Sequence, residues 1–190
     1  MEYKVIKQMD CPICDKNHDV EERKRMSTVT IKGEEVEYLE KYYYCENGED
    51  GECEFETASL INANLQAAKN AYRKKHHLLT SDEIVSLRET YDLSQVELAR
   101  LMGWGEATIS RYESKSIQDE SYDVMLCMVR DSPFVAIELL DKHHDKFCEA
   151  RLKAIKNCMI KNLDVYGKEY LSRQTFESNY VEYQEPSVFN

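Results

Sequence analysis

Five side chains near the start of the chain have the types and spacing for metal chemistry. Cys11 and Cys14 form the knuckle C-P-I-C, which supplies the two thiolates of one half of a tetrahedral zinc site. Cys45 follows after 30 intervening residues. A regular second knuckle would place its other thiol at position 48, but that residue is Gly48. Two further donors compete for the fourth place: Cys53, past the loop E-N-G-E-D-G-E, and His18, four residues after Cys14. The arrangement favours Cys53 narrowly over His18. The set predicts one structural Zn2+ per chain, closed, with no open coordination position. Free thiols or a redox C-x-x-C form the competing reading; a small, hydrophobe-poor β unit with no other staple favours metal. Cys127, Cys148 and Cys158 sit in helical-looking sequence and read as small buried hydrophobes.

A second constellation lies in "LSQVELARLMGWGEATISRYE", residues 93–113. It reads as two short helices bent around a glycine. Ala99 is small where the helices cross, Gly103 marks the turn, and Ile109 falls on the inward side of the following helix. Such a unit leaves the outer face of "EATISRYES" free to enter a DNA major groove. Glu106, Ala107, Thr108, Ser110 and Arg111 lie on or near that face. Arg111 has the fork to read guanine, while Ser110 and Thr108 suit bases or phosphate. Ser94 and Gln95 begin the preceding helix, where phosphate is commonly met. Lys115 adds positive charge beside Arg111. Trp104 reads as turn packing. No nucleophile–base–acid set and no glycine-rich phosphate loop stands out, so an enzyme is not expected.

The net charge of −11 is at odds with DNA binding. It is unevenly spread: residues 61–80 hold Lys69, Arg73, Lys74 and Lys75 and no acid. Arg73 and Lys74, with Lys69 on the same helical side, suit a phosphate clamp; a solvated helix face is the alternative. Acids elsewhere would suppress non-specific binding. No apolar run approaches the roughly 20 residues that span a bilayer, and "MEYKVIKQMDCPIC" has no signal-peptide core. These features predict a cytoplasmic chain with reduced thiols.

The elements that position these residues follow from local signals. Ser27 to Ile31 and Val36 to Tyr44 read as a β-hairpin about "KGEE". "ETASLINANLQAAKNAYRKKHHLL" reads as one helix opened by Thr57 or Ser59. "TSDE" opens another helix, Ser94 caps the next, and Ser132 with Pro133 starts a later one. Gly103 and Gly105 suit a turn that visits positive φ. Cys148, Leu152, Ile155, Met159, Leu163, Tyr166 and Tyr170 step by three or four along a helix; this seam is the leading candidate for a dimer interface. A polar linker is expected after about Arg173. The fold class is mainly α with a small zinc-bound β unit (α+β) and a five-helix Xre-type helix-turn-helix. The expected divisions are a zinc-binding β-hairpin domain at 1–56, a basic linker helix at 57–79, the helix-turn-helix domain at 80–144, and a C-terminal helix and polar linker at 145–190.

"CPIC", "YYYC", "AYRKKHHLLTSDEI" and "LSQVELARLMGWGEATISRYE" together resemble the MqsA-type (YgiT-like) antitoxin family from Cys11 to about Lys142. The chain looks most similar to members in which this pair precedes a SocA-like (Panacea) antitoxin domain, with "YQEPSVFN" as the lead-in. The resemblance implies a DNA-binding antitoxin that represses its own operon, acts as a homodimer on double-stranded operator DNA, and meets a toxin protein. Gly48 departs from the family's second C-x-x-C, and the SocA-like domain is not part of this sequence. The alternative function is a zinc-stabilised protein-interaction module that binds a partner toxin.

Overall fold

The computed structural model describes residues 5–48 and 53–181, with residues 5, 164, 166 and 168–181 described by their backbone alone. Two compact units form, Met1–Ser81 and Asp82–Asn190. The α+β class holds: helices predominate beside one small antiparallel sheet.

The first unit is a four-stranded sheet in the order β1-β2-β3-β4, with β1 at Val5–Asp10, β2 at Asn17–Ile31, β3 at Glu34–Tyr44 and β4 at Glu54–Phe55. The hairpin expected from the sequence is present but far longer on the β2 side. Its turn has two residues, Lys32 and Gly33, with φ of 51° and 86°, the mirror-type turn whose twist matches the strands. The charged half of β2 lacks an apolar alternation, so sequence pattern alone does not mark it as a strand. Cross-strand pairs supply the missing signal. Arg25 meets Glu40 and Glu54, each at 2.6 Å. Lys7 and Lys41 both reach Glu22. Arg23 stacks 3.5 Å over the Tyr44 ring and Arg25 4.5 Å over Tyr42, contacts that add to ordinary burial.

Helix α1, Ala58–Lys75, is capped by Thr57, whose hydroxyl accepts from the Leu60 N–H. Leu60, Asn64, Ala68 and Tyr72 make one buried stripe at helical spacing, and the helix packs along β3. Expected as a linker, it is an integral wall of the first unit. Asn64 acts as a surrogate strand residue: its amide donates to the Lys41 carbonyl at 2.7 Å and its oxygen accepts from the Lys41 N–H at 2.9 Å. Near the helix end, Lys75 and His76 pair with Glu34.

The second unit contains α2 (Ser81–Thr90), α3 (Gln95–Leu101), α4 (Thr108–Ser114), α5 (Glu120–Asp131), α6 (Pro133–Lys142), a 3-10 turn (His144–Lys146) and α7 (Glu149–Val181). Its core is aliphatic, with Ile84, Leu98, Leu101, Ile109, Leu126 and Leu140 fully buried. Tyr91 is buried among them; desolvation pushes its phenol up to about 12, and its hydroxyl donates to the Val129 carbonyl at 3.0 Å. Gly103 takes φ +72°, while Gly105 keeps an ordinary φ, so only one of the two expected glycines uses its freedom. The backbone of α7 remains helical past Arg173, where a linker was expected. The seam of α7 turns inward: Ile155 and Met159 are fully buried, and α7 packs on α6. That half of the stripe is used within the chain and is not free for a dimer. The side chains of Tyr166 and Tyr170, and the segment "YQEPSVFN", lie outside the described residues. No described helix is long and apolar enough to cross a membrane.

Candidate functional site

The knuckle is built by the turn after β1. The Cys11 N–H donates to the Lys16 carbonyl and the Asp15 N–H to the Cys11 carbonyl, both at 3.0 Å. Asp15 takes φ 55°, a left-handed conformation that an aspartate tolerates better than most residues. The chain then re-enters as β2, and the β1–β2 register sets His18 opposite Met9, two residues before Cys11. Cys45 follows the last residue of β3. The result is a cluster of Cys11, Cys14, His18 and Cys45, whose ligand atoms all lie within 4.8 Å of one another. The Cys45 Sγ to His18 Nε2 distance is 3.5 Å. A tetrahedral ion bound at about 2.3 Å to sulfur and about 2.0 Å to nitrogen has edges of this length.

The surroundings suit a metal. His18 Nδ1 lies 2.8 Å from the Asp19 carbonyl; with the proton on Nδ1, Nε2 faces the thiols as a lone pair. Cys11 and Cys45 are buried with Val20, Tyr43 and Leu60, while Met9, Ile13 and Phe55 pack around them. Burial raises the Cys11 thiol, but hydrogen bonds from the Cys14 backbone and His18 outweigh it and bring the thiol down to about 7. Burial pushes Cys45 up to about 11. Hydrogen bonding to Cys11 raises His18. A bound cation would displace the protons that remain on these thiols. Three thiols and one imidazole, with Cys11 and Cys45 buried among apolar side chains, fit a structural cation.

Cys53 does not join this group. Its Sγ lies 3.8 Å from the Gly48 carbonyl, and its own carbonyl accepts from the Cys45 N–H at 2.8 Å. The narrow preference for Cys53 gives way to His18, because Cys53 sits just before β4 and supports Cys45 through the backbone. The C-x2-C-x3-H spacing carried the signal for His18, but only the β1–β2 register makes it decisive.

In the second unit, α3 and α4 form the expected helix–turn–helix shape. A capping box opens α3: the Ser94 hydroxyl accepts from the Glu97 N–H, and the Glu97 carboxylate accepts from the Ser94 N–H. Ala99 and Ile109 are fully buried. Glu113 of α4 accepts from Arg88 of α2 at 3.0 Å and from Gln95 of α3 at 2.6 Å, so one carboxylate ties three helices together. No local spacing pointed to Glu113. Arg151, on α7, was missed for the same reason; it bonds Glu97 and Asp92.

The predicted DNA-contacting residues fall as follows. Ala107, Arg111 and Lys115 are exposed along α4 and its ends, with Thr108 and Ser110 half-buried beside them. Glu106 is exposed but holds Arg100 at 2.6 Å. Ser94 is exposed, while Gln95 already donates its amide to Glu113. In the first unit Lys74 is exposed. Arg73 is fully buried and donates to Asn70 at 2.8 Å, so it presents no guanidinium to a phosphate. This corrects the expected clamp: Arg73 lies next to the buried Tyr72 stripe and turns inward with it. Trp104 packs edge-on to Tyr122 at 4.8 Å and Tyr112 at 6.4 Å, as turn packing requires.

Residues 9–151 match the family model described as the antitoxin component of a bacterial toxin–antitoxin system, MqsA. No curated protein and no solved structure matches the chain.

Proposed function

The chain belongs to the MqsA antitoxin family, and on that premise we propose that it is a sequence-specific repressor of a toxin–antitoxin operon. It acts without catalysis, in the cytoplasm, as a homodimer on double-stranded operator DNA, and its partner protein is a toxin. The observation that carries this reading is the α3–α4 pair, fixed by its capping box and by Glu113, with Arg111 left exposed on the outer helix. A helix so held presents one face to a major groove. Arg111 reads a base, Thr108, Ser110 and Ala107 line the same approach, and Ser94 and Lys115 meet phosphate. Lys74 contributes a phosphate contact from the basic helix.

The metal is zinc, held by Cys11, Cys14, His18 and Cys45 as a structural staple. The chemistry of three thiolates and one imidazole in a small unit supports this choice. The working division is a zinc unit whose sheet is walled by the basic helix, residues 1–79, then the DNA-binding domain at 80–144 and a C-terminal helix beyond. A second reading, a zinc-stabilised module that grips a toxin, is supported by the exposed strands of the first unit and is compatible with the first.

Titration of operator and scrambled duplexes at several salt concentrations tests the repressor reading. Arg111→Ala should lose about 1–3 kcal/mol on the operator, confined to one base pair per half-site. Lys74→Ala should weaken both duplexes alike and shallow the salt slope by about one unit. Equal affinity of the wild-type chain for both duplexes would reject specific readout.

A further inference from the structure

The start of α3 is crowded with charge. A cleft beside it is lined by three carboxylates, Glu89, Asp92 and Glu97, and two guanidiniums, Arg88 and Arg151. Arg88 is spent inside the bundle, donating to Glu113 at 3.0 Å and to the Leu93 carbonyl at 3.1 Å. Arg151 arrives from α7, 54 positions after Glu97. Its Nε and Nη2 donate to the two Glu97 carboxylate oxygens at 2.6 and 3.1 Å. Its Nη1 donates to the Asp92 carboxylate at 2.9 Å, and Nη2 donates also to the Asp92 carbonyl. Four of the five N–H donors of a guanidinium are thus used within the unit.

This ion pair adjoins a residue that the repressor reading sets against phosphate. Glu97 Oε2, which Arg151 holds, also accepts from the Ser94 N–H at 2.8 Å. The Ser94 hydroxyl accepts from the Glu97 N–H at 3.2 Å and keeps its own proton to donate. A phosphate oxygen on that proton would stand roughly 6–8 Å from the carboxylate, by ordinary hydrogen-bond lengths. Glu97 is ionised at neutral pH with or without a cation beside it, since a free glutamate titrates near about 4. Its side chain is 16% exposed, so water screens it poorly; that of Asp92 is 77% exposed and is screened well. As half of the capping box, the Glu97 carboxylate is fixed in place, and its charge is cancelled only by a cation.

We propose that Arg151 is a positioning residue for operator binding, cancelling the Glu97 carboxylate beside Ser94 so that a DNA phosphate is accepted there. The inference rests on the repressor reading above and gives α7 a part in it. The anchors of α7 fix where this cation stands. Ile155 and Met159 are fully buried, Lys156 bonds Asp141 of α6 at 2.6 Å, and Asn162 donates to the Thr90 carbonyl at the end of α2 at 3.0 Å. Asp92 steadies the guanidinium from the turn between α2 and α3. With four donors committed, Arg151 works through Glu97 and does not itself grip the phosphate. Removing the cation leaves a bare carboxylate near the phosphate; removing the carboxylate as well leaves a neutral site.

The two partners of one ion pair should therefore act on DNA binding with opposite signs. The full-length chain and its Arg151→Gln, Glu97→Gln, doubly substituted and Arg151→Lys variants are titrated at several salt concentrations. The probes are a duplex of the DNA upstream of the chain's own reading frame, as operator, and a scrambled duplex; thermal unfolding of each variant runs alongside. Arg151→Gln should weaken operator binding about three- to tenfold in each half-site, and the loss should shrink as salt rises. Glu97→Gln breaks the same ion pair and lowers stability, yet should bind at least as tightly as the parent. The double variant should return to within about twofold of the parent. Arg151→Lys keeps the charge without the fork and should lose less than Arg151→Gln. A residue that merely supports the fold gives a different pattern: both single variants weaken binding in step with their stability, and the double variant is no better than Arg151→Gln. That pattern, or an Arg151→Gln variant that binds like the parent, overturns the proposal and leaves the repressor reading intact. An unrescued loss with a salt slope shallower by about one unit makes Arg151 a direct phosphate contact and overturns the proposal too. A parent chain that does not distinguish operator from scrambled duplex removes the repressor reading and the proposal together.

Discussion

Replacing Glu97 with glutamine should destabilise the second unit, and the loss should disappear in acid. The Arg151 guanidinium, bonded to both carboxylate oxygens at 2.6 and 3.1 Å, holds Glu97 down to about 2 from 4.5, burial opposing it and the Ser94 N–H assisting. Because the folded value lies below the unfolded one, the stabilisation is fully present above about pH 4.5 and lost as pH falls through about 2. The full shift corresponds to about 3 kcal/mol. The Arg151 side chain is 31% exposed, so solvent screening reduces the expected loss in Glu97→Gln to about 1–2 kcal/mol. Glutamine keeps an oxygen for the Ser94 N–H, so the cap survives and the charge alone is removed. The assay is urea unfolding at pH 7 and at about pH 2.5, followed by fluorescence. The chain has one tryptophan, Trp104, so the signal reports on the second unit whatever happens at the metal site. Equal destabilisation at both pH values, or none at pH 7, would refute the argument that this ion pair, rather than the cap, carries the energy.

Metal analysis of Cys45→Ser should show the ion lost, whereas Cys53→Ser should retain it; loss in both would return Cys53 to the ligand set. Gly103→Ala should cost about 1–3 kcal/mol in thermal unfolding, since φ is +72° and the new Cβ would lie 2.9 Å from the His143 ring; a neutral result would mean that the turn relaxes. Arg73→Ala should lower the stability of the first unit by about 1–3 kcal/mol, because a fully buried side chain is removed and the Asn70 oxygen loses a charged donor. Lys74→Ala should leave it within about 0.5 kcal/mol, as for other surface changes; the reverse order would restore Arg73 to the phosphate clamp.

What could be read from sequence was what short spacing encodes. The Ser94 cap, the opening of α1 at Thr57 or Ser59, the Gly103 turn and the C-P-I-C knuckle each depend on residues within a few positions of one another, and the structure has a cap at Ser94, one at Thr57 and the turn at Gly103. Register was not legible. His18 becomes a ligand only because β1 pairs with β2 so as to carry it beside Cys11. The charged half of β2 is a strand because ion pairs and arginine–tyrosine stacks replace the apolar alternation that pattern reading relies on. Arg73 and Lys74 are adjacent in a basic run, and nothing local says which of them the helix buries. The α7 seam was visible as a stripe, but a stripe does not state whether it faces its own unit or another chain.

The carboxamide of Asn64 has a consequence for how the sheet could lengthen. Along β3 the outer groups of Lys41 are satisfied by a side chain, Tyr43 is paired with Phe55 of β4, and the Cys45 N–H donates to the Cys53 carbonyl. In the language of polymer growth, that flank is terminated, and a chain with one reactive end can add a partner but cannot propagate. Growth of the sheet from that flank is therefore stopped by the first unit's own residues. An Asn64→Leu substitution would remove the terminator, and its expected signature is concentration-dependent association where the parent chain shows a fixed stoichiometry.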